Sequence, residues 1–314
     1  MAARTSTAAS STSPRAASPP SPPPRPASST SRSSGRHRLT HGRREILDLL
    51  DTHGIRPSRA LGQNFVADPN TVRRIARLAE VGPGDRVVEI GAGLGSLTLA
   101  LVETGAAVTA VELDRRLAEA LRTIAAPLGV EVVEGDALRL DWPGLLAGAD
   151  PWALVANLPY NVATPLVLEL LERAPTIERM LVMVQREVGE RLAAPVRSDP
   201  YGAVSVKVAW WASARVVGRV PRGVFVPEPK VESALVEIRR RPLPATVGPT
   251  REAVFSLVEA GFGQRRKMLR RALGDRVTQE QFAAAAVAPE ARAEELDLDA
   301  WCRLAACASS PTPS

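Results

Sequence analysis

Short apolar runs alternate with longer amphipathic stretches along most of the chain. Valine-rich or otherwise apolar runs occur at Arg86–Ile90, Ala107–Glu112, Val130–Glu134, Trp152–Asn157 and Met180–Val184. Such runs are typical of strands that are buried on both faces of a parallel sheet. Helical patterns lie between them, at about residues 70–80, 96–104, 114–125 and 164–173. This alternation predicts an α/β fold with a doubly wound, Rossmann-like sheet.

The pattern changes after the fifth run. Two further apolar runs, at about residues 204–211 and 233–239, follow without a full helix between them. They predict an antiparallel pair of strands at one edge of the sheet. Pro242, Pro244 and Pro249 then indicate a linker.

Four segments follow from these patterns. Beyond the linker, the chain reads as helical to about residue 306. We predict a disordered tail over residues 1–44, a larger α/β domain over 45–245, a small helical domain over 246–308, and a short disordered tail over 309–314.

The first segment has low complexity. Residues 1–35 contain eleven serines and seven prolines and almost no large apolar side chain, so they cannot bury enough surface to offset the entropy of ordering. A segment rich in Arg and Ser and free of acid also has the composition of an organellar transit peptide. The chain as a whole has 37 arginines against three lysines, a bias that a GC-rich genome would produce without any targeting role. Both explanations stay open here.

Charge and composition exclude several classes of protein. The net charge is +6, but residues 1–44 hold eight arginines and no acid, so the remainder carries 32 basic against 34 acidic groups. RNA binding by the folded part must therefore depend on local basic patches. No run approaches the about 20 apolar residues of a membrane helix, which predicts a cytoplasmic protein without a membrane partner. The two cysteines, Cys302 and Cys307, have no histidine near them, so no metal is expected.

The first predicted strand runs into the glycine-rich turn Gly91-Ala92-Gly93-Leu94-Gly95. A turn of this kind lets a ligand approach the backbone at the carboxyl end of a strand. The spacing is G-x-G-x-G and not the G-x-G-x-x-G of dinucleotide sites. S-adenosylmethionine has no phosphate, so a shorter turn suffices for it.

Two acids follow at the ends of the next strands. Glu112 ends the second strand, 21 residues after Gly91, where a carboxylate can accept both hydroxyls of a ribose. Asp136 follows the third strand, where a carboxylate can accept an adenine amino group. Glycine, acid and acid at three successive strand ends together predict a site for a nucleoside-type cofactor.

The fourth strand ends in Asn157-Leu158-Pro159-Tyr160-Asn161. The amide oxygen of Asn157 and a neighbouring backbone carbonyl can each accept one hydrogen of an exocyclic amino group. These acceptors draw the nitrogen towards tetrahedral geometry and free its lone pair, while Pro159 stiffens the turn and Tyr160 offers a face for stacking. Since Asn157 cannot act as a base, the site suits methyl transfer to an amino nitrogen of adenine without a strong base.

Six ordered segments together resemble the ribosomal RNA adenine dimethyltransferases. They are Leu61-Gly62-Gln63-Asn64-Phe65, Glu89-Ile90-Gly91-Ala92-Gly93, Asn157-Leu158-Pro159-Tyr160-Asn161, Tyr201-Gly202-Ala203-Val204-Ser205-Val206, Phe225-Val226-Pro227-Glu228-Pro229-Lys230-Val231-Glu232-Ser233 and Gly263-Gln264-Arg265-Arg266-Lys267. The resemblance extends from about Leu61 to Leu273, with Ala92 where the family often has proline and Val66 where it usually has leucine.

The resemblance implies roles for individual residues. S-adenosylmethionine would bind at Asn64, Val66, Gly91, Glu112, Asp136 and Asn157. Catalysis would rest on Asn157, Leu158, Pro159, Tyr160 and Phe225, with Tyr160 and Phe225 stacking a flipped adenine; for Phe225, a plain role in the core is the alternative. RNA phosphates would be bound by Arg265, Arg266, Lys267 and Arg270, which with Arg271 form a basic run at helical spacing where the helical domain opens.

The activity implied by the resemblance is N6,N6-dimethylation of two adjacent adenosines near the 3′ end of small-subunit ribosomal RNA. The expected partner is this RNA in a pre-30S particle, and the enzyme is expected to act as a monomer. One alternative is a macrolide-resistance methyltransferase acting on large-subunit RNA, in which the base motif typically has isoleucine and serine where this chain has Leu158 and Asn161. The other alternative is a non-catalytic RNA-binding assembly factor, against which the intact cofactor residues argue.

Overall fold

A computed structural model describes residues 39–58, 61–148, 151–242 and 248–309. The strands are β1 Phe65–Val66, β2 Arg86–Ile90, β3 Ala107–Glu112, β4 Glu131–Glu134, β5 Trp152–Asn157, β6 Ile177–Gln185, β7 Ala212–Val220, β8 Phe225–Val226 and β9 Ser233–Arg240. The α-helices are α1 Arg43–Thr52, α2 Pro69–Leu78, α3 Ser96–Val102, α4 Arg115–Ala125, α5 Trp142–Leu145, α6 Ala163–Arg173, α7 Arg186–Leu192, α8 Ala203–Trp211, α9 Arg251–Gly263, α10 Leu269–Ala272, α11 Gln279–Ala284 and α12 Leu298–Ser309.

Seven strands form one sheet, in the order β4-β3-β2-β5-β6-β9-β7. The first five of these are parallel, whereas β9 pairs antiparallel with both β6 and β7. The predicted doubly wound sheet with antiparallel edge strands is confirmed. The chain winds outward from β2 in one direction through β3 and β4, and then continues from β5 in the other direction. The carboxyl ends of β2 and β5 therefore flank the switch point, where open α/β sheets bind their ligands.

One predicted strand is wrong. Residues 203–211 form helix α8, and the edge strand β7 begins only at Ala212. The helix contacts α6, α7 and α9 as well as β7, so its apolar residues are enclosed on several sides. At the start of this run valines alternate with Ser205 and Lys207, and this period of two is typical of a strand. The antiparallel pair itself exists, with β7 displaced by eight residues from the predicted position.

Helices pack on both faces of the sheet. An apolar cluster covers each face. Its members include Trp142, Leu170 and Val182 on one face. On the other face they include Ile75, Leu101 and Leu235. Burial of this apolar surface is the main stabilising contribution to such a layered fold. No helix in the described part of the chain is long and apolar enough to cross a membrane.

The C-terminal helices have a core of their own, which contains the fully buried Trp301 and Phe282. Tyr201 from the preceding part of the chain joins this core, and its hydroxyl donates to the carbonyl of Leu296 at 2.9 Å. Burial raises the pKa of Tyr201 to about 12, so the phenol stays protonated and can donate. The predicted division at residues 245 and 246 falls in a segment outside the described residues, and it stays a prediction.

At the N-terminal side, the described chain begins at Leu39, before the predicted boundary at residue 44. The backbone N–H of Leu39 donates to Glu103 at 2.9 Å, Thr40 is buried, and α1 begins at Arg43. Residues 39–44 thus belong to the folded body, and the prediction of disorder is wrong for them. The rest of the predicted tail, residues 1–38, lies outside the described residues, as do residues 310–314.

Candidate active site

A cavity of about 220 Å³ opens at the carboxyl ends of β2, β3 and β5. All six residues that were expected to hold the cofactor line it: Asn64, Val66, Gly91, Glu112, Asp136 and Asn157. The structure brings them together from the β1 segment, the glycine-rich turn and three strand ends, as the topology requires. Their roles towards a ligand stay predictions.

The glycine-rich turn requires glycine, because its backbone has positive φ angles and Phe65 lies close to it. Gly93 has φ +57°, and a Cβ added there would lie 2.9 Å from Cε1 of Phe65. Any larger residue would therefore push away the β1 segment, which pairs with β8 and covers the turn. The absence of a side chain at Gly93 therefore leaves the space that the Phe65 ring occupies.

Glu112 fixes the turn from the neighbouring strand. It is only 6% exposed, and its two carboxylate oxygens accept the backbone N–H of Gly93 at 2.8 Å and of Asp114 at 2.9 Å. Burial raises the pKa of this carboxyl, while the backbone donors act in the opposite direction. Each oxygen retains a second lone pair for a ligand in the cavity.

Asp136 lies at the other side of the cavity and is more open. Its side chain is 40% exposed, and its Oδ1 accepts the backbone N–H of Leu138 at 3.0 Å. Arg139 lies 3.8 Å from the other carboxylate oxygen. A carboxylate held this way can accept a hydrogen bond from a ligand at the mouth of the cavity.

Asn157 connects β5 with the β1 segment. Its amide Nδ2 donates to the backbone carbonyl of Asn64 at 3.0 Å, which fixes the amide group. No described residue donates a hydrogen bond to its Oδ1, and the residue lines the cavity. The side chain thus offers a hydrogen-bond acceptor to the cavity.

The rest of the base motif turns from the strand into α6. Pro159 lines the cavity, and its carbonyl already accepts the N–H of Val162 at 3.2 Å. The carbonyl of Leu158 is therefore the better candidate for the backbone acceptor that would act beside Oδ1 of Asn157 on an amino group. The Leu158 side chain itself is buried in the core. Tyr160 is half-buried, and its hydroxyl lies 2.9 Å from Oγ of Ser233. Burial raises the pKa of this phenol, so Tyr160 stays neutral and does not serve as a base.

Phe225 is not placed as the stacking role requires. It is 0% exposed, pairs with Val66 across the β1–β8 ribbon and packs in the core with residues of α2 and α3. Neither Phe225 nor Tyr160 is among the residues that line the cavity, but Tyr160 is only half-buried, whereas Phe225 has no exposed surface. In this structure Phe225 is a buried core aromatic, because the β1–β8 pairing covers its ring.

The basic run also differs from its prediction. Residues 264–267 form a turn between α9 and α10, so Arg265, Arg266 and Lys267 do not share one helix face. Arg265 is partly exposed and is held by the protein itself, since it donates to Glu294 at 2.6 Å and to the carbonyl of Asp199 at 2.7 Å. Arg270 lies 3.3 Å from a carboxylate oxygen of Glu290.

Arg266 and Lys267 are exposed on this turn and remain the candidates for phosphate contact. Arg265 and Arg270 each pair with an acid that lies at least 20 positions further along the chain. The sequence of the basic run alone could not reveal these ion pairs.

Sequence reasoning missed Glu89 as a site residue. This carboxyl is 2% exposed, lines the cavity and accepts a hydrogen bond from the Thr98 hydroxyl at 2.5 Å. Its burial raises its pKa to about 8. An acid inside an otherwise apolar strand is rare in a protein core, and that anomaly was the available signal.

The donor set fits a nucleoside-type ligand. The carboxylates of Glu89, Glu112 and Asp136 line the cavity, and most of the other lining side chains are apolar. The buried hydroxyl of Ser96, also in the wall, has no hydrogen-bond partner among the described residues. A buried polar atom without a partner is typical of a position that a ligand completes. Within the described residues, no three His, Cys, Asp or Glu side chains are placed to hold a metal ion.

Comparisons with known proteins agree with this geometry. A family model described as ribosomal RNA adenine dimethylase matches residues 55–309. A protein of Thermobifida fusca named ribosomal RNA small subunit methyltransferase A is 52% identical over 272 residues, which cover 83% of this chain and 93% of the relative. A protein of Kineococcus radiotolerans with the same name is 50% identical over 273 residues, covering 84% of this chain and 90% of the relative.

Two solved structures share the fold. The 23S rRNA methyltransferase ErmE is 30% identical with a TM-score of 0.60, and the match covers 78% of this chain and all of that one. A dimethyladenosine transferase from Plasmodium falciparum is 23% identical with a TM-score of 0.62, covering 76% of this chain and 94% of that one. The second likeness bears on the fold alone.

Proposed function

The chain belongs to the ribosomal RNA adenine dimethylase family, and from that premise we propose that it uses S-adenosylmethionine to dimethylate N6 of two adjacent adenosines near the 3′ end of small-subunit ribosomal RNA. The names of relatives at about 50% identity support the choice of subunit. The observation that carries the proposal is the acceptor at Oδ1 of Asn157, fixed in place beside the cavity.

Different residues around the cavity would bind different parts of the cofactor. Glu112 would accept the ribose hydroxyls, Asp136 would accept the adenine amino group, and Asn64 and Val66 would close over the methionine end. When bound, S-adenosylmethionine supplies a methyl group that is activated by a positively charged sulfur.

The acceptor base would be held by Asn157 and Leu158. Oδ1 of Asn157 and the carbonyl of Leu158 each accept one N6 hydrogen, which localises the nitrogen lone pair and directs it towards the cavity. Tyr160 would stack on the adenine, an interaction worth about 1–3 kcal/mol per base. A methylated ammonium is acidic enough to lose its proton to water, so a neutral Tyr160 and an amide at Asn157 are sufficient.

Two transfers to one nitrogen require that the monomethyl base be held again. The first methyl replaces one amino hydrogen, so one of the two acceptor bonds is lost. Stacking on Tyr160 and the surviving acceptor would then hold the base for the second transfer.

The RNA would be bound as part of a pre-30S particle by one copy of the protein. Arg266 and Lys267 are exposed cations on the α9–α10 turn and can pair with phosphates. The folded body as a whole is nearly neutral, so recognition would depend on the shape of the particle more than on bulk charge.

Purified protein, incubated with labelled S-adenosylmethionine and either unmethylated small or large ribosomal subunits, tests this proposal. Mass spectrometry of digested RNA is expected to show N6,N6-dimethyladenosine in the small subunit only. The Asn157→Ala variant, with a melting curve to confirm its folding, is expected to give neither mono- nor dimethyl product. Product in the large subunit alone would refute the choice of substrate.

A second candidate is methylation of large-subunit RNA. The 30% identity to the 23S rRNA methyltransferase ErmE favours it, since that match covers the whole of that chain. The large-subunit arm of the same experiment decides between the two.

A further inference from the structure

Glu89 is a buried carboxyl in the wall of the cavity and has no cationic partner within the described part of the chain. It lies in β2, next to the glycine-rich turn, with only 2% of its surface exposed. Its Oε2 accepts the hydrogen bond from Thr98, and no described residue donates to its Oε1. One oxygen of this carboxyl is therefore left for whatever occupies the cavity.

The elements packed against Glu89 add negative charge and no positive charge. Its cross-strand neighbours are Ala110 in β3 and Val155 in β5, and α3 carries no charged residue. The nearest charged group is Glu112 at the end of β3, which opposes ionisation of Glu89. Asp136 is the other charged group that lines the cavity. A carboxylate here would be isolated from water and repelled by a second acid.

We propose that Glu89 is protonated in the empty protein and releases its proton to solvent when the cationic cofactor enters the cavity. This inference rests on the proposed function, since it takes S-adenosylmethionine as the ligand. The sulfonium and the α-ammonium of this cofactor each carry a positive charge and its α-carboxylate a negative one, so its net charge is positive, and a positive charge beside a buried carboxyl stabilises its ionised form. No bond other than the O–H bond of Glu89 is broken.

The sign of the resulting pH dependence follows from the direction of proton movement. The pKa of Glu89 in the empty protein is about 8. Because binding releases a proton, affinity rises with pH below that value, by up to about tenfold per pH unit, and becomes level above it. A cofactor bound without proton release would show no such rise.

Isothermal titration calorimetry measures the released proton directly. S-adenosylmethionine is titrated into the full chain at about pH 7.5 in buffers whose ionisation enthalpies differ widely. The dependence of the measured heat on buffer enthalpy is expected to show release of about three-quarters of a proton per site. S-adenosylhomocysteine, which keeps the ammonium but lacks the sulfonium, tells which charge drives the release: an equal value assigns it to the ammonium, and a smaller value to the sulfonium.

Three variants make the result specific to this carboxyl. Glu89→Gln is expected to bind without proton release, whereas Asp136→Asn, which changes a more exposed carboxylate of the same cavity, is expected to keep the release. Thr98→Val removes the hydroxyl that lowers the pKa of Glu89, so release should persist to higher pH. Melting curves confirm that each variant is folded.

The outcomes separate this inference from the proposed function. Binding with no proton release by the wild-type protein, or with unchanged release by Glu89→Gln, overturns the inference and leaves the function untouched. Absence of binding by either cofactor form overturns both.

Discussion

Replacing Glu112 by alanine tests the cofactor site most sharply among single substitutions. In the empty protein its carboxylate accepts two backbone N–H groups, from Gly93 and Asp114, and so connects the glycine-rich turn to the end of β3. In the proposed complex it also accepts the ribose hydroxyls. Glu112→Ala therefore removes a positioning contact and a ligand contact together.

The expected magnitudes differ for folding and for binding. Water in the cavity can replace the lost acceptor, and removing a buried charge offsets part of the loss, so the free energy of unfolding should fall by only about 1–3 kcal/mol. A hydrogen bond from the ligand to a charged acceptor contributes roughly 1.5–3 kcal/mol. Cofactor affinity is therefore expected to fall about tenfold to hundredfold.

Calorimetric titration with S-adenosylhomocysteine measures the affinity, and thermal denaturation measures the stability. Glu119→Ala is the matched control. The side chain of Glu119 is 56% exposed on α4, and within the described residues its ion pair is with Arg115. The control should leave both quantities unchanged. A folded Glu112→Ala protein with wild-type affinity would remove Glu112 from the ligand site and refute the reasoning.

Substitutions at three further positions have distinct expected results. Tyr160→Phe loses only the hydroxyl contact to Ser233 and should keep dimethylation, whereas Tyr160→Ala should lower kcat/KM about fivefold to hundredfold through lost stacking, as measured by mass spectrometry of the RNA. Arg266→Ala should weaken RNA binding and reduce its salt dependence by about one phosphate contact; a filter-binding salt series with an unchanged slope would exclude that contact. Arg240→Met should lower the free energy of unfolding by about 2–4 kcal/mol in urea titration, because its guanidinium donates to three carbonyls between the last turn of α6 and the start of β6; an unchanged midpoint would contradict this role.

The central sheet was predictable because local pattern and final environment agree there. Arg86–Ile90, Ala107–Glu112 and Trp152–Asn157 are strands with the predicted bounds. Each is a valine- or alanine-rich run that ends at a polar residue or a glycine. Since the carboxyl ends of parallel strands meet at one edge, the strand ends also placed the site.

The sequence-based predictions are wrong where contacts between distant parts of the chain determine the structure. Residues 204–211 begin with valines that alternate with Ser205 and Lys207, a pattern with the period of a strand, and packing among α6, α7 and α9 determines that they are helical. Phe225 is buried in the core, where β8 pairs with β1 and Phe225 lies opposite Val66, 159 positions earlier in the sequence. Arg265 pairs with Glu294, which lies 29 positions further along the chain. None of these partners is visible in a local window.

Mapping adenosine methylation on both ribosomal RNAs in cells that lack this gene tests the account most directly. We predict that N6,N6-dimethyladenosine disappears from two adjacent positions near the 3′ end of small-subunit RNA, and that the wild-type gene restores it while the Asn157→Ala gene does not. Unchanged small-subunit methylation together with a loss from large-subunit RNA would contradict the account.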